Sequence, residues 1–221
     1  MSGHIIFVPT PIGNLEDMTF RAIRVLKEAD VILAEDTRTS GNLMKHFEIG
    51  TPLKSFHMHN EHQAVGYWVS QAVEGKNIAV VTDAGTPGIS DPGFLLVREA
   101  VKNGVEVWCL PGATALIPAL VVSGLPTDSF AFLGFLPQKK GRQTAIKKLL
   151  EETRTVALYE SPHRIHKLVE ELIALGGGEK EISISREISK KFEETIRGKV
   201  VEVCERIKGK ELKGEMVVVL N

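Results

Sequence analysis

The sequence predicts an α/β protein made of two α/β domains. Short apolar runs such as 5–8, 31–34 and 78–81 have the length of buried strands, and segments with helical apolar spacing lie between them. Strands that alternate with helices form a mostly parallel sheet, whose carboxyl-end loops lie along one edge. Later in the chain the strands follow one another without regular crossovers. We therefore expect residues 1–122 to form an N-terminal domain with a mostly parallel sheet, and residues 123–221 a C-terminal domain with a mixed sheet.

Turn-forming residues separate the elements of the N-terminal domain. Apolar runs predict strands at 5–8, 31–34, 53–56, 78–81 and 105–110. Apolar residues at helical spacing predict helices at 19–29, 40–47 and 61–74, a helix that begins at Phe94, and one that runs from the loop 111–115 to about residue 122.

The C-terminal half begins after the turn-forming segment 123–127. Apolar runs predict strands at 129–133, 155–159, 181–186, 193–198 and 215–220. Helices are predicted after the basic segment 138–142, after Ser161-Pro162, and at 199–206. Strands that cluster in this way are typical of a mixed sheet.

The composition is that of an ordinary globular protein. The chain has 221 residues, of which 43% are hydrophobic and 25% charged, and its net charge is -1. This charge does not indicate a nucleic-acid binder, so such a role needs a local basic surface. We expect no membrane span and no signal peptide. Cys109 and Cys204 lack metal-ligand spacing, and we expect both to be core residues in a reducing cytoplasm.

The most informative segment follows the predicted strand at 78–81. It reads Asp83-Ala84-Gly85-Thr86-Pro87-Gly88-Ile89-Ser90-Asp91-Pro92-Gly93, and we call it the signature loop. Its glycines and prolines fix the path of the backbone and let a ligand approach it closely. Asp91 is expected to cap the next helix. Because open α/β sheets bind ligands at the carboxyl ends of their strands, this loop is the first candidate binding site.

The loop after the first strand argues against dinucleotide binding. It reads Pro9-Thr10-Pro11-Ile12-Gly13-Asn14, where a dinucleotide-binding protein carries a glycine fingerprint. Asp36 lies where such proteins place a ribose-binding acid, but prolines remove backbone N–H groups that a pyrophosphate needs. The sequence also contains no G-x-x-x-x-G-K-[ST] segment, which argues against a P-loop nucleotidase.

Charged side chains follow other predicted strands. The run Tyr159-Glu160-Ser161-Pro162-His163-Arg164 offers proton acceptors and an anion-binding edge, or only a capped helix with solvated charges. The run Glu35-Asp36-Thr37-Arg38 is open to the same two interpretations. The positive run that contains Lys139, Lys140 and Arg142 would attract a phosphate backbone, or is only a solvated face.

Histidines cluster at 57, 59 and 62, beside Glu61. A metal site needs ligands that converge on one point. These residues straddle a strand end and a helix start, so we expect polar loop histidines and no metal site.

Seven motifs occur in one order along the chain and resemble those of one enzyme family. They are 9–17, 35–38, the signature loop, 111–113, 134–137, 159–164 and Arg186-Glu187. In this order they are similar to the ribosomal RNA small subunit methyltransferase I family, within the tetrapyrrole methylase superfamily. The resemblance extends over about residues 5–220.

The resemblance implies an enzyme that uses S-adenosylmethionine to methylate the ribose 2′-oxygen of a decoding-region cytidine in 16S ribosomal RNA. It implies two α/β domains with the cofactor in the cleft between them, and a homodimer in the cytoplasm. It also implies that the partner is 16S rRNA in the small ribosomal subunit. S-adenosylmethionine carries no phosphate, which agrees with a first loop that lacks a pyrophosphate fingerprint.

The resemblance also implies roles for single residues. The cofactor is expected to contact Pro11, Asp83, Ala84, Gly85, Thr86, Pro87, Ile89, Pro111, Gly112, Ala113 and Tyr159. A ribose hydroxyl needs a proton acceptor, and the candidates are Glu160, ranked first, then His163 and Glu187, with Asp83 and Asp36 behind them. RNA phosphates are expected to contact Arg38, Lys139, Lys140, Arg142, Arg164 and Arg186.

Two alternatives stay open from the sequence. A tetrapyrrole-type methylase of small molecules would methylate a macrocycle and ignore RNA. A non-catalytic nucleotide- or RNA-binding module would bind its ligand without methyl transfer, although the complete signature loop disfavours it.

Overall fold

Apolar runs of Val, Ile, Leu and Ala become the strands of a parallel sheet in the first part of the chain. The computed structural model describes residues 2–221, which divide into one unit that ends at Thr114 and another that spans Ala115–Asn221. The elements of the first unit are β1 (His4–Phe7), a 3₁₀ turn (Leu15–Asp17), α1 (Phe20–Glu28), β2 (Val31–Ala34), α2 (Thr37–His46), β3 (Leu53–Ser55), α3 (Glu61–Val73), β4 (Ile78–Val81), α4 (Phe94–Lys102) and β5 (Glu106–Cys109).

The first sheet has the strand order β3-β2-β4-β1-β5, and every neighbouring pair is parallel. Helices α1 and α2 pack on one face through residues such as Leu26 and Met44. Helices α3 and α4 pack on the other face through residues such as Val69 and Leu96. Neighbouring strands β1 and β4 therefore lead to helices on opposite faces, which opens a crevice at their carboxyl ends.

The second unit contains the predicted mixed sheet. Its elements are α5 (Leu116–Ser123), β6 (Phe130–Phe135), α6 (Arg142–Glu151), β7 (Thr155–Glu160), α7 (Ile165–Ala174), β8 (Glu181–Arg186), β9 (Glu194–Lys199), α8 (Val200–Ile207) and β10 (Met216–Leu220). The strand order is β6-β7-β10-β8-β9, with β6 and β7 parallel and the other pairs antiparallel. The predicted α/β class, with one parallel and one mixed sheet, is confirmed.

The division between the units lies earlier than the expected boundary after residue 122. Helix α5 packs against β8, β9 and β10 and so belongs to the second unit. Its Ala119 and Leu120 are buried against Ala157, Val217 and Val219 of the sheet. An apolar helix belongs to the unit whose sheet it covers. The local sequence of such a helix does not indicate which of the two sheets that is.

Three local expectations differ from the structure. Helix α2 begins at Thr37, before the predicted residue 40, because the Asp36 side chain caps it by accepting from the Arg38 backbone N–H at 2.8 Å. Helix α4 begins after Gly93 and not at a cap formed by Asp91. Cys109 is exposed, because it lies on the edge strand β5. Within residues 2–221, no helix has the length and apolar character needed to cross a membrane.

Buried charges lie at the carboxyl end of β7. The Glu160 side chain is fully buried, and its Oε1 accepts from Arg164 Nε at 2.7 Å. Its Oε2 lies 3.4 Å from Arg142 Nη2, and Arg142 is 4% exposed. Arg142 also donates to Glu171 at 2.7 Å and to the Pro137 carbonyl at 3.3 Å. This cluster ties β7, α6 and α7 together, and the burial of each charge depends on its partners.

We expect Glu160→Gln to lower the free energy of unfolding by about 3 kcal/mol, because removing one partner of a buried ion pair leaves the other charge uncompensated. Urea denaturation followed by circular dichroism measures the change. The matched control is Glu152→Gln, whose partner Arg154 is 2.8 Å away in an exposed ion pair. The control is expected to keep the wild-type midpoint. Equal midpoints for all three proteins would show that the Glu160 ion pairs do not stabilise the fold.

Candidate active site at the carboxyl edge of the parallel sheet

The loops after β1 and β4 are bonded directly to each other. Thr10 and Gly85 exchange two backbone hydrogen bonds, each 2.9 Å long. The Thr10 hydroxyl also donates to the Thr82 carbonyl at 3.1 Å, and Thr10 is buried. Gly85 has a φ of 84°, which favours glycine, and a Cβ there would lie 3.4 Å from the Ile12 side chain. The two loops are therefore held in fixed register.

The loop after β5 joins the same group. The Thr86 hydroxyl donates to the Ala113 carbonyl at 3.1 Å. Gly112 lies against Pro9, and a Cβ at that position would approach the Pro9 Cβ to 2.8 Å. The structure thus brings together the candidate cofactor residues of the first unit, which are Pro11, Asp83, Ala84, Gly85, Thr86, Pro87, Ile89, Pro111, Gly112 and Ala113.

The end of the signature loop is held by a residue that the sequence did not single out for this role. Glu61 begins α3 and is buried, and its Oε1 accepts from the backbone N–H groups of Gly93 at 2.9 Å and Leu95 at 3.2 Å. A carboxylate at a helix N-terminus is favoured by the helix dipole. Glu61 therefore takes the capping role that was expected of Asp91. The sequence did not indicate this contact, because Glu61 and Gly93 are 32 positions apart.

Three acidic residues, Glu35, Asp36 and Asp83, lie at the ends of β2 and β4. Asp83 Oδ1 accepts from the Asp36 backbone N–H at 3.2 Å, and the Thr82 hydroxyl donates to Glu35 at 2.7 Å. Burial raises the pKa of Asp83, and the nearby charges of Glu35 and Asp36 raise it further, against the lowering effect of its backbone hydrogen bond. Hydrogen bonds from the Arg38 side chain and backbone lower the pKa of Asp36 to about 2. The pKa of Asp83 is therefore raised, whereas that of Asp36 is lowered, so Asp83 is the better proton acceptor of these two carboxylates.

The candidates in the second unit have different surroundings. Tyr159 is half-buried and packs against Phe132 and Phe135, with ring centroids 5.0 and 5.5 Å away. His163 is exposed. The Glu187 carboxylate lies 2.9 Å from Lys190 Nζ, and its backbone has a φ of 53°.

The position of Glu160 differs from that of an accessible base. Both of its oxygens are engaged by arginines, and Oε1 also accepts from the Ser161 backbone N–H at 2.8 Å. Its role as proton acceptor stays a prediction, while its contacts identify it as a structural residue.

The candidate RNA contacts fall into two groups. Lys139 and Lys140 are exposed, as is Arg38, although Arg38 pairs with Asp36 at 2.9 Å. Arg164 and Arg186 are partly buried and paired with Glu160 and Glu194, each at 2.7 Å. The predicted RNA contact of Arg142 must be corrected, because this side chain is buried in the cluster around Glu160 and cannot reach a phosphate in this conformation.

Across residues 2–221, no three His, Cys, Asp or Glu side chains lie close enough together to hold a metal ion. The rings of His57 and His59 are 5.9 Å apart and contact each other edge to face.

Comparisons with known proteins identify the family of the chain. The family model for Tetrapyrrole (Corrin/Porphyrin) Methylases matches residues 4–204. A protein of Halalkalibacterium halodurans, named ribosomal RNA small subunit methyltransferase I, is 46% identical over 99% of this chain and 76% of its own length. A protein of the same name from Thermotoga maritima is 43% identical over 99% of this chain and 98% of its own length.

A solved structure has the same fold. The uroporphyrin-III C-methyltransferase of Thermus thermophilus, complexed with S-adenyl homocysteine, superposes with a TM-score of 0.65 at 20% identity. The match covers 98% of this chain and 97% of that one. The family resemblance predicted from the motifs is confirmed, and the chain belongs to the tetrapyrrole methylase family.

Proposed function

We propose that this protein is an S-adenosylmethionine-dependent methyltransferase that modifies the ribose 2′-oxygen of a decoding-region cytidine in 16S ribosomal RNA. The observation that carries the proposal is the 43–46% identity, over 99% of the chain, to proteins named ribosomal RNA small subunit methyltransferase I. The tetrapyrrole-methylating structural neighbour is only 20% identical, so it supports the fold and not its own substrate.

The loops of the first unit fit a cofactor that has no phosphate. Ala84 and Ile89 are exposed on the loop after β4, and Pro111 and Gly112 on the loop after β5, so they offer apolar contacts and backbone groups to an adenine, a ribose and a methionine chain. The hydrogen bonds between Thr10 and Gly85 keep these groups in place before binding, which reduces the ordering cost. When bound, S-adenosylmethionine supplies a methyl group on a sulfonium leaving group. The protein then mainly has to position the acceptor oxygen and receive its proton.

The proton acceptors predicted in the second unit are less favourable than the sequence suggested. Glu160 is committed to two arginines, and Glu187 to Lys190. His163 is exposed and retains the chemistry of an acceptor. Because Glu160 and Glu187 are held in ion pairs, Asp83 of the first unit, whose pKa is raised, is a further candidate for the proton acceptor.

RNA phosphates are proposed to contact the exposed lysines of the second unit. Lys139 and Lys140 precede α6, and Lys147 and Lys148 are exposed on that helix. No acid within the described residues pairs with Lys139 or Lys140, whereas Arg164 forms an ion pair with Glu160 and Arg186 one with Glu194. The two lysines are therefore the groups best able to exchange counterions for a phosphate backbone.

Homodimerisation is also part of the proposal. Helix α5 has the sequence Leu116-Ile117-Pro118-Ala119-Leu120-Val121-Val122-Ser123 and is apolar on all sides. One side covers the second sheet, while Ile117, Val121 and Val122 stay exposed. A helix that is apolar all round is normally buried, so the exposed side is suited to a second copy of the chain.

The proposed activity is tested with methyl-labelled S-adenosylmethionine and small ribosomal subunits that lack the modification. We expect label on the ribose of one cytidine of 16S RNA, located by nuclease mapping and mass spectrometry. Free 16S RNA and a tetrapyrrole substrate are incubated in parallel. Label on the tetrapyrrole alone would replace the proposal with small-molecule methylation, and cofactor binding without transfer to any acceptor would favour a binding module.

The double variant Lys139→Ala/Lys140→Ala is expected to weaken RNA binding, most strongly at low ionic strength. Each lost phosphate contact reduces the slope of log affinity against log salt by about 1, so we expect a reduction of about 2. Filter binding or fluorescence anisotropy across a salt series measures the slope. The control Lys27→Ala/Lys54→Ala removes two exposed lysines from the first unit. A double variant with the wild-type slope would exclude this basic segment from the RNA contact.

The variant Val121→Glu is expected to convert a dimer into a monomer, because it places a charge in the apolar side of α5. Sedimentation equilibrium gives the mass directly. Val73→Glu is the matched control, since Val73 is an exposed valine at the end of α3. A dimer that persists in Val121→Glu, or a monomeric wild type, would contradict the proposed surface.

A further inference from the structure

A pocket of about 400 Å³ lies beside the candidate cofactor loops, between the loop after β1 and helix α2. Its volume is within the range of about 300–1,000 Å³ that is usual for small-ligand sites. Pro11, Leu15 and Leu43 supply apolar walls, and Ser40, Asn42 and Asp83 supply polar groups. Pro11 and Asp83 border both the pocket and the loops, so an occupant of the pocket would lie next to the cofactor residues of this unit.

One polar atom of the pocket lining has no partner. Ser40 is 3% exposed, and its Oγ makes no hydrogen bond within the described part of the chain. A buried hydroxyl without a partner destabilises the protein that contains it. Ser40 lines the pocket but its Oγ is covered, so a ligand with a polar edge supplies the missing hydrogen bond once it displaces a neighbouring side chain.

Asp83 lies in the same wall with acceptor capacity to spare. Its Oδ1 accepts from the Asp36 backbone N–H, and its side chain is exposed. A carboxylate has two oxygens and about four lone-pair sites, so Asp83 can accept a further proton donor. Partial burial is the main cause that raises its pKa, and the neighbouring charges of Glu35 and Asp36 add to the effect, which makes it a better proton acceptor than an isolated aspartate.

The chemistry of the lining matches a ribonucleoside. A flat base fits between apolar walls, and its donors and acceptors suit a serine hydroxyl and an asparagine amide. A ribose hydroxyl suits a carboxylate. A helical RNA would not present these groups, so the nucleoside has to leave its stack to enter.

Building on the proposed function, we propose that this pocket receives the target nucleoside of the RNA and that Asp83 accepts the proton of its 2′-hydroxyl. A lone pair of the 2′-oxygen forms the new O–C bond to the methyl carbon as the C–S bond breaks. The electron pair of that bond stays on sulfur, which becomes a neutral thioether. The 2′-hydroxyl proton moves to the Asp83 carboxylate. Asp83 thereby moves from the cofactor contacts to the catalytic residues.

The first test is Asp83→Asn, which keeps the oxygen that accepts from Asp36 and removes the basicity. We expect kcat for methylation of unmodified small subunits to fall at least about 100-fold, the lower range for loss of a general base. Affinity for S-adenosylmethionine, measured by calorimetry, is expected to stay within about twofold of the wild type. Asp128→Asn is the matched control, because Asp128 is exposed and lies in the second unit.

The second test is Ser40→Ala. We expect a KM for subunits about 2–10 times higher, from the loss of one hydrogen bond to the nucleoside, with kcat nearly unchanged. The melting temperature is expected to stay the same or rise, because the hydroxyl has no partner in the protein. A structural role for the hydroxyl would instead lower the melting temperature and leave KM unchanged, which would overturn the assignment of Ser40.

The outcomes separate this inference from the proposed function. A wild-type protein that methylates no RNA ends the proposed function whatever the variants do. An active wild type with an equally active Asp83→Asn variant overturns the role of Asp83 alone. Loss of S-adenosylmethionine binding in Asp83→Asn would assign the pocket wall to the cofactor and also overturn the inference.

Discussion

The pair of hydrogen bonds between Thr10 and Gly85 is the constraint on which the site in the first unit depends. Strands β1 and β4 are neighbours in the sheet, but the helices that follow them pack on opposite faces, so a further contact has to hold the two loops together beyond the strand ends. The Thr10–Gly85 bridge does so, and it needs glycine because of the positive φ at position 85. Thr86 and Gly112 then add the loop after β5 to a frame that is already fixed. A site built in this way has its binding groups in place before any ligand arrives.

A second constraint acts through charge rather than backbone. The cluster of Arg142, Glu160, Arg164 and Glu171 places four charges at the junction of β7, α6 and α7, where apolar residues could have packed instead. Such clusters add little net stability, but they penalise any arrangement that separates the partners. The exposed Lys139 and Lys140 lie three and two residues before Arg142, which also donates to the Pro137 carbonyl. The buried cluster therefore holds in place the segment that carries the exposed positive charge.

The sequence predicted the features that depend on local patterns. Runs such as 31–34 and 78–81 are strands because continuous apolar residues suit a sheet buried on both faces. The motifs also located the loops of the site. What the sequence could not predict depends on partners far away in the chain: Glu61 capping α4, Arg142 paired with Glu171, and α5 covering the second sheet. The sequence does not indicate whether a given glutamate or arginine is solvated or buried, because its burial depends on residues that only the folded chain brings near it.

The contrast between Asp83 and Glu160 shows why the fold also decides the chemistry. Both carboxylates follow a central strand of a sheet, and the sequence ranked Glu160 as the better proton acceptor. The Glu160 side chain is fully buried, and its two oxygens are held by Arg142 and Arg164, so it is not accessible to a substrate hydroxyl. The pKa of Asp83 is instead raised, mainly by partial burial and further by the charges of Glu35 and Asp36. A substrate hydroxyl can therefore reach the carboxylate at one strand end and not at the other, which is the physical basis for placing the proton acceptor on the first unit.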